Sequence, residues 1–463
     1  MSLTATIARF AVETPLDDIP AEARRWGTIG LLDTLGVALA GARSEVGEVI
    51  TRYVARQGGT PEAGVLGCDL RLSAALAALA NGTLAHALDY DDINRSMYGH
   101  PSAPLLPVVL ALGERAGASG AECLAAYLVG FEVECKLRAA LGPDYSDDLG
   151  WHPTAPLATV GAAAAAVRLL RLDAPRAQMA VSLAASQAAG LRANFGTMTK
   201  PFHAGNAARA AIVAADLVAL GFTAATDALE ARYGFCQAYS GGKPDPQAVV
   251  GRLGQPWDIL QPGLVVKAYP CCGSTHRALD GVLALIRQHD IRPDDVVEVD
   301  CQISFDPPRS LIHDDPHSGL EGKFSMQYCL AAALVDRAIR LDTFDDAMVR
   351  RPAVRALLPR VRMRRIPGDE GQPTWVRPEE HVVVHLRDGR QLRTTIVYPK
   401  GEATVPLSQE ELRDKFRDCA ARVLSAADVE RAIELVEGLE TLPDVRALTS
   451  AVCRAPVAAP AGR

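Results

Sequence analysis

The sequence predicts a mainly α fold, with a large all-helical domain and a smaller α+β domain that carries an antiparallel sheet. Three observations predict it. Hydrophobic residues make up 49% of the chain and aromatics only 5%, and small apolar side chains in that proportion suit closely packed helices better than sheets. Apolar positions recur at helical spacing to about residue 230, with almost no strand signal. Past that region Val296 to Ile303 alternates with period two, the mark of a half-buried strand.

In chain order, Ala23, Trp26, Ile29, Leu32 and Leu35 place one helix over Pro20 to Ala40, broken by Gly36 and Gly41. Further helices are expected over Ala74 to Ala87, Leu105 to Leu112, Ser119 to Leu137, Gly161 to Val167 and Ala177 to Gly190. Ser119 and Glu122 have the spacing of a capping box, in which each side chain accepts the other residue's backbone N–H. Glycines and prolines crowd Tyr239 to Gly263 and mark a loop and a domain boundary. Beyond it come helices over Thr275 to His289 and Phe324 to Asp336, and strands over Val296 to Ile303 and Val361 to Arg365. Glu380 to Leu386 and Gln391 to Tyr398 flank Asp388-Gly389, a tight hairpin turn pair. A second capping box, Ser408 to Glu411, opens the final helices, and Arg454 to Arg463 reads as a frayed tail. The domains are therefore 1–265, helical; 266–400, α+β; and 401–463, helices that return to the first domain.

A chain of 463 residues exceeds one ordinary core. The net charge of −7, without a basic stripe, excludes a nucleic-acid surface. No apolar run reaches membrane-spanning length and Met1 to Phe10 lacks a secretory pattern, so a cytoplasmic protein without membrane association is expected. The ten cysteines stand singly except Cys271-Cys272, none at C-x-x-C spacing, so neither a disulfide framework nor a thiolate zinc site is indicated.

Chemistry concentrates in four stretches. His86-Ala-Leu-Asp89-Tyr-Asp91-Asp92, followed by Gly99-His100-Pro101-Ser102, puts three carboxylates and two imidazoles within fifteen positions. A solvated acidic turn and a proton-transfer cluster both account for that density. Trp151-His152-Pro153-Thr154 sets a histidine ahead of a helix-starting proline. Asn194 to Arg209 is a Gly/Thr loop running into a helix, where Lys200 and backbone N–H groups suit a carboxylate or phosphate. Lys267-Ala-Tyr-Pro270-Cys-Cys-Gly-Ser274-Thr275-His276 places a second lysine before a turn that Ser274 or Thr275 would cap. Two lysines, several histidines and an aspartate cluster converge on an anionic substrate with more than one carboxylate.

Taken together, these stretches and Phe324-Ser-Met-Gln-Tyr328 resemble the MmgE/PrpD family, which includes 2-methylcitrate dehydratases, cis-aconitate decarboxylases and iminodisuccinate epimerases. The resemblance implies a helical domain built from both ends of the chain, an α+β lid, a homodimer, and a reaction needing no metal or organic cofactor. It places the pocket at Asp89, His100, His152, Lys200, Lys267 and Tyr328. His152 and Asp89 are expected to transfer protons, and His100 and Tyr328 to orient or assist. Lys200, Lys267, His203 and His276 are expected to bind substrate, while Asp91 and Asp92 cap and hold the turn. The implied activity is a cofactor-independent lyase acting on a small di- or tricarboxylate by proton abstraction next to a carboxylate, first a 2-methylcitrate-dehydratase-like hydro-lyase. An iminodisuccinate-type epimerase and a cis-aconitate-type decarboxylase are the alternatives. Ile93 departs from the threonine that dehydratases and decarboxylases of the family often place there, which favours the epimerase branch. Two other classes compete: a magnesium-dependent prenyl-diphosphate enzyme using Asp89, Asp91 and Asp92, and a non-catalytic helical scaffold.

Overall fold

The computed structural model describes residues 2–142, 144–304, 310–369 and 379–454. The chain divides into two compact units: 1–193 with 199–266 and 408–463, and 194–198 with 267–407. Among the described residues no helix is long and apolar enough to cross a membrane.

The first unit is helical. Its main helices are Ala21–Gly41, Ala74–His86, Ser102–Ala116, Gly120–Leu137, Pro156–Leu169, Ala174–Ala185, Thr199–Ala219 and, from the C-terminal segment, Gln409–Ala420. Both predicted capping boxes form: Ser119 Oγ accepts from Glu122 N at 3.2 Å while Glu122 Oε2 accepts from Ser119 N at 2.9 Å, and Ser408 with Glu411 repeats the pattern. Among its described residues, strand content is limited to two-residue pairs, Ala63–Gly64 with Arg71–Leu72 and Ile93–Asn94 with Leu264–Val265.

Small residues set how closely these helices pack. The Ala74–His86 and Thr199–Ala219 helices meet at Gly82 and Gly205, where a Cβ on Gly205 would lie 2.2 Å from the Leu79 carbonyl oxygen. Only glycine permits that approach. Gly36 proves to be a packing residue and not a break: the helix runs unbroken to Gly41, and a Cβ on Gly36 would meet the Phe416 ring at 2.9 Å. Lys415, one residue before Phe416, forms a buried ion pair with Asp33 at 2.6 Å. The C-terminal segment is thereby joined to the second helix of the chain by packing and by charge.

The second unit is α+β. The four strands among its described residues are ordered Val361–Arg365, Val296–Ile303, Glu380–Leu386, Gln391–Ile396. The sheet is mixed and not wholly antiparallel, because the first pair, in register Val299 to Val361, runs parallel. The other two pairs are antiparallel, with Val299 opposite Val384 and Glu380 opposite Ile396. Parallel neighbours need a long crossover, and the His276–His289 and Met326–Asp336 helices pack with this sheet around Leu279, Val282, Val299, Cys301, Leu330 and Val382. The hairpin turns at Asp388-Gly389, where Gly389 takes φ +89° and Leu386 N donates to Arg390 O at 2.9 Å. Residues 455–463, most of the expected tail, lie outside the described residues.

Candidate active site

The helix crossing at Gly82 and Gly205 brings the C-terminal end of one helix to the N-terminal turn of the other. His86 closes the Ala74–His86 helix, and Lys200 sits in the first turn of Thr199–Ala219. Lys200 Nζ lies 2.9 Å from His86 Nε2 and 2.6 Å from Asp89 Oδ1. Asp89 adopts φ +51°, the left-handed region, immediately after the helix. Aspartate tolerates that region better than most residues, and here it turns the carboxylate to the lysine.

The chain then folds back through a turn built on Asn94, whose Oδ1 accepts from the backbone N–H groups of Ser96 at 2.8 Å and Met97 at 3.1 Å. Gly99 lets this turn touch the next segment, since a Cβ there would lie 2.9 Å from Thr154 N. His100 N donates to Thr154 Oγ1 at 3.1 Å. His100 Nδ1 is thereby 3.1 Å from Asp91 and its Nε2 is 3.5 Å from Asp89. Pro153 lies in a turn, and the helix it was expected to start begins at Pro156. His152, anchored by its N–H to Gly190 O at 3.0 Å, stacks on His86 with ring centres 5.6 Å apart. Its Nδ1 is 3.1 Å from His203 Nδ1. Asp89, His100, His152, Lys200 and His203 therefore form one cluster in the first unit.

Adjacent in sequence, Asp91 and Asp92 do different things. Asp92 accepts from Ser102 N at 3.2 Å and from the Ser102 hydroxyl, which also meets the Tyr127 hydroxyl at 2.5 Å. Burial, with Asp33 and Asp91 nearby, pushes its carboxyl well above the usual range, which favours the neutral form, and Asp92 holds the next helix start. Asp91 does not serve as a cap. Its carboxylate lies 2.9 Å from His86 Nδ1 as well as 3.1 Å from His100 Nδ1. Burial raises its pKa, but contact with the two imidazoles outweighs that and holds the carboxyl well below the usual range. Sequence reasoning counted both in the cluster but gave His86 no role and Asp91 only a capping one; the almost wholly buried Ala74–His86 helix explains why His86 faces inward.

The histidines are held neutral. Burial lowers His86 to about 3, with the Lys200 charge adding to the effect. Burial and then Lys200 also lower His152, well below the usual imidazole range, and His203, to about 4. Neutral His152 and His203 share one proton between facing Nδ1 atoms. With the proton donated by His152, its Nε2 is a base; with the proton donated by His203, His152 carries Nε2–H and is an acid.

His86, Asp89, Asp91 and His100 bring four potential metal-ligating atoms within 4.8 Å of one another. The Lys200 ammonium already stands against two of these residues, so a divalent cation would have to displace it. The donor set as arranged suits an ammonium.

Lys267, His276 and Tyr328 belong to the second unit. Lys267 is buried, and His276 Nε2 meets Cys271 O at 3.2 Å. Thr275 donates to Cys272 O at 2.8 Å and does not cap the helix as expected. Tyr328 is fully buried in that unit's core, and its hydroxyl donates to the Thr343 carbonyl. Its phenolic proton is thus already engaged by backbone. The stretch from 194 is divided: Asn194 to Met198 goes with the second unit, with Phe195 against Phe324 at 5.6 Å, and the lysine-bearing helix goes with the first.

Comparison with known families identifies the family of the chain. Residues 5–247 match the MmgE/PrpD N-terminal domain and residues 269–441 the MmgE/PrpD C-terminal domain. The chain belongs to the MmgE/PrpD family. Human cis-aconitate decarboxylase is 32% identical over 431 residues, 91% of this chain and 88% of the relative. A cis-aconitate decarboxylase of Aspergillus terreus is 27% identical over 471 residues, covering 96% and 95%.

Proposed function

We infer that this chain is a lyase acting on a small di- or tricarboxylate by moving a proton at the carbon next to a carboxylate. Decarboxylation of a cis-aconitate-like substrate now ranks ahead of dehydration, because the relatives that cover nearly the whole chain carry that activity. The observation that carries the reading is the Lys200 ammonium set between Asp89 and His86, beside neutral His152.

A substrate carboxylate can take Lys200 in place of Asp89, exchanging one buried anion for another at little electrostatic cost. Lys267 is proposed as a second cation for substrate carboxylates, and His276 as a further contact. In decarboxylation the C–C bond electrons stay on the substrate as CO2 leaves. The charge delocalises into the remaining carboxylate, where a fixed ammonium stabilises it. A proton then comes to carbon from His152, which as a neutral imidazole with Nε2–H is a competent donor in a dry site. Asp89 and His100 are proposed to assist that transfer. Run with His152 in its other tautomer, the same group abstracts the proton that precedes loss of water.

A second reading, epimerisation of an iminodisuccinate-like dicarboxylate, is favoured by Ile93, which offers a substrate oxygen no hydroxyl. The test is a panel of cis-aconitate, 2-methylcitrate and iminodisuccinate-type substrates, read by mass spectrometry for loss of CO2, loss of water or inversion. Turnover with loss of CO2 or water supports a lyase. Inversion alone establishes the epimerase, and no turnover of any polycarboxylate overturns both.

A further inference from the structure

The donor and acceptor pattern around His86 admits one protonation state. Its Nδ1 faces the Asp91 carboxylate at 2.9 Å and its Nε2 faces the Lys200 ammonium at 2.9 Å. An ionised carboxylate only accepts hydrogen bonds and an ammonium only donates them. His86 must therefore carry its proton on Nδ1 and present a lone pair from Nε2, in agreement with burial holding it neutral. The same carboxylate oxygen, Asp91 Oδ2, lies 3.1 Å from His100 Nδ1. Asp91 and His86 are both essentially inaccessible to solvent, so neither can touch substrate in this arrangement.

We propose that Asp91 and His86 are positioning residues: Asp91 fixes the Nδ1–H form of His86, and His86 in turn aims the Lys200 ammonium through its Nε2 lone pair. One buried carboxylate thus sets, through His86, where the cationic head of Lys200 points. The chemistry parallels the way a buried carboxylate orients a catalytic or metal-bound imidazole through its far nitrogen. The proposal rests on the lyase reading for its catalytic consequence, but the tautomer it requires exists in the resting protein.

Two variants and one spectrum test it. His86 Nδ1 meets both carboxylate oxygens, at 3.1 and 2.9 Å, so an asparagine at position 91 sets an N–H2 donor against that ring nitrogen and removes the charge. In Asp91→Asn, kcat is expected to fall about 100-fold or more with KM changed far less. Nitrogen-15 NMR of histidine-labelled protein should show the Nδ1–H form of His86 in the wild type, and its loss in Asp91→Asn. His86→Gln keeps an acceptor near the Nε2 position, whereas His86→Asn keeps only a donor near Nδ1. The glutamine variant is therefore expected to retain at least about tenfold more activity than the asparagine one. A wild-type spectrum with Nε2–H at His86, or unchanged tautomers and kcat in Asp91→Asn, overturns the proposal. Equal activity of folded His86→Gln and His86→Asn overturns the His86 part. The expected spectra in a protein that turns over no polycarboxylate support the positioning geometry and overturn the lyase reading instead.

Discussion

Asp89 Oδ1 and Lys200 Nζ stand 2.6 Å apart with each side chain only 5% exposed. A pair so sheltered is held by the helix crossing behind it, and a substrate carboxylate must compete with Asp89 for the ammonium. Asp89→Asn separates charge from shape, because asparagine also tolerates the left-handed backbone that Asp89 adopts. The variant is expected to fold, to keep or tighten binding of a polycarboxylate, and to lose about 100-fold or more in kcat. Steady-state kinetics with calorimetric binding checks both halves.

The crossing itself can be tested at Gly205. A methyl group there would sit 2.2 Å from the Leu79 carbonyl oxygen, and backbone cannot yield as a flexible side chain does. Gly205→Ala is expected to cost about 1–3 kcal/mol in stability. Because His86 and Lys200 sit on the two helices being forced apart, activity should fall even in the folded fraction. Thermal melting and turnover per folded molecule check the two effects separately.

Lys415 ties the C-terminal segment to the site loop. Its Nζ is 2.6 Å from Asp33, 2.9 Å from the Tyr90 carbonyl oxygen and 3.8 Å from the Tyr90 ring centre. Lys415→Met leaves the Asp33 charge buried and is expected to destabilise the first unit by about 3–5 kcal/mol. The double variant Asp33→Leu with Lys415→Met should recover much of that loss, measured by denaturant unfolding, since it removes both charges.

His203 supplies a pH test with a defined sign. Its folded pKa is lowered from an ordinary 6.5 to about 4, first by burial and then by Lys200. As pH falls from 6.5 toward 4 the unfolded chain takes up a proton at this position before the folded one does. The stabilising contribution is thus present above 6.5 and lost across that window. His203→Gln lacks this titration, so its melting temperature relative to wild type should rise as pH falls from 6.5 to 4 and stay level above 6.5. Paired melting curves at fixed ionic strength check it.

Much of this was legible in the sequence because local rules and tertiary structure agree. The capping boxes at Ser119 and Ser408, the strand Val296–Ile303 and the Asp388-Gly389 hairpin stand where spacing and turn chemistry put them. Gly36 misled because a glycine under Phe416 looks in sequence like a glycine that ends a helix. The parallel strand pair was hidden because alternation reports a half-buried strand and not its direction. At the site, Asp91 and Asp92 are indistinguishable in sequence, and only burial against His86 and His100 or against Ser102 separates their roles. His86 was counted in the cluster but given no role, because a histidine at a helix end is usually a packing residue and its contact with Lys200 spans 114 positions.

The central claim, proton transfer at carbon by the cluster around Lys200, is tested most directly by solvent deuterium. The protein is incubated in deuterium oxide with cis-aconitate and related di- and tricarboxylates, and product and recovered substrate are read by mass spectrometry. One deuterium per decarboxylated product molecule at the carbon next to a carboxylate is expected from wild type, with the rate reduced about 100-fold or more in His152→Gln. Product formed at the wild-type rate by His152→Gln, or decarboxylated product without solvent deuterium at that carbon, would contradict the account.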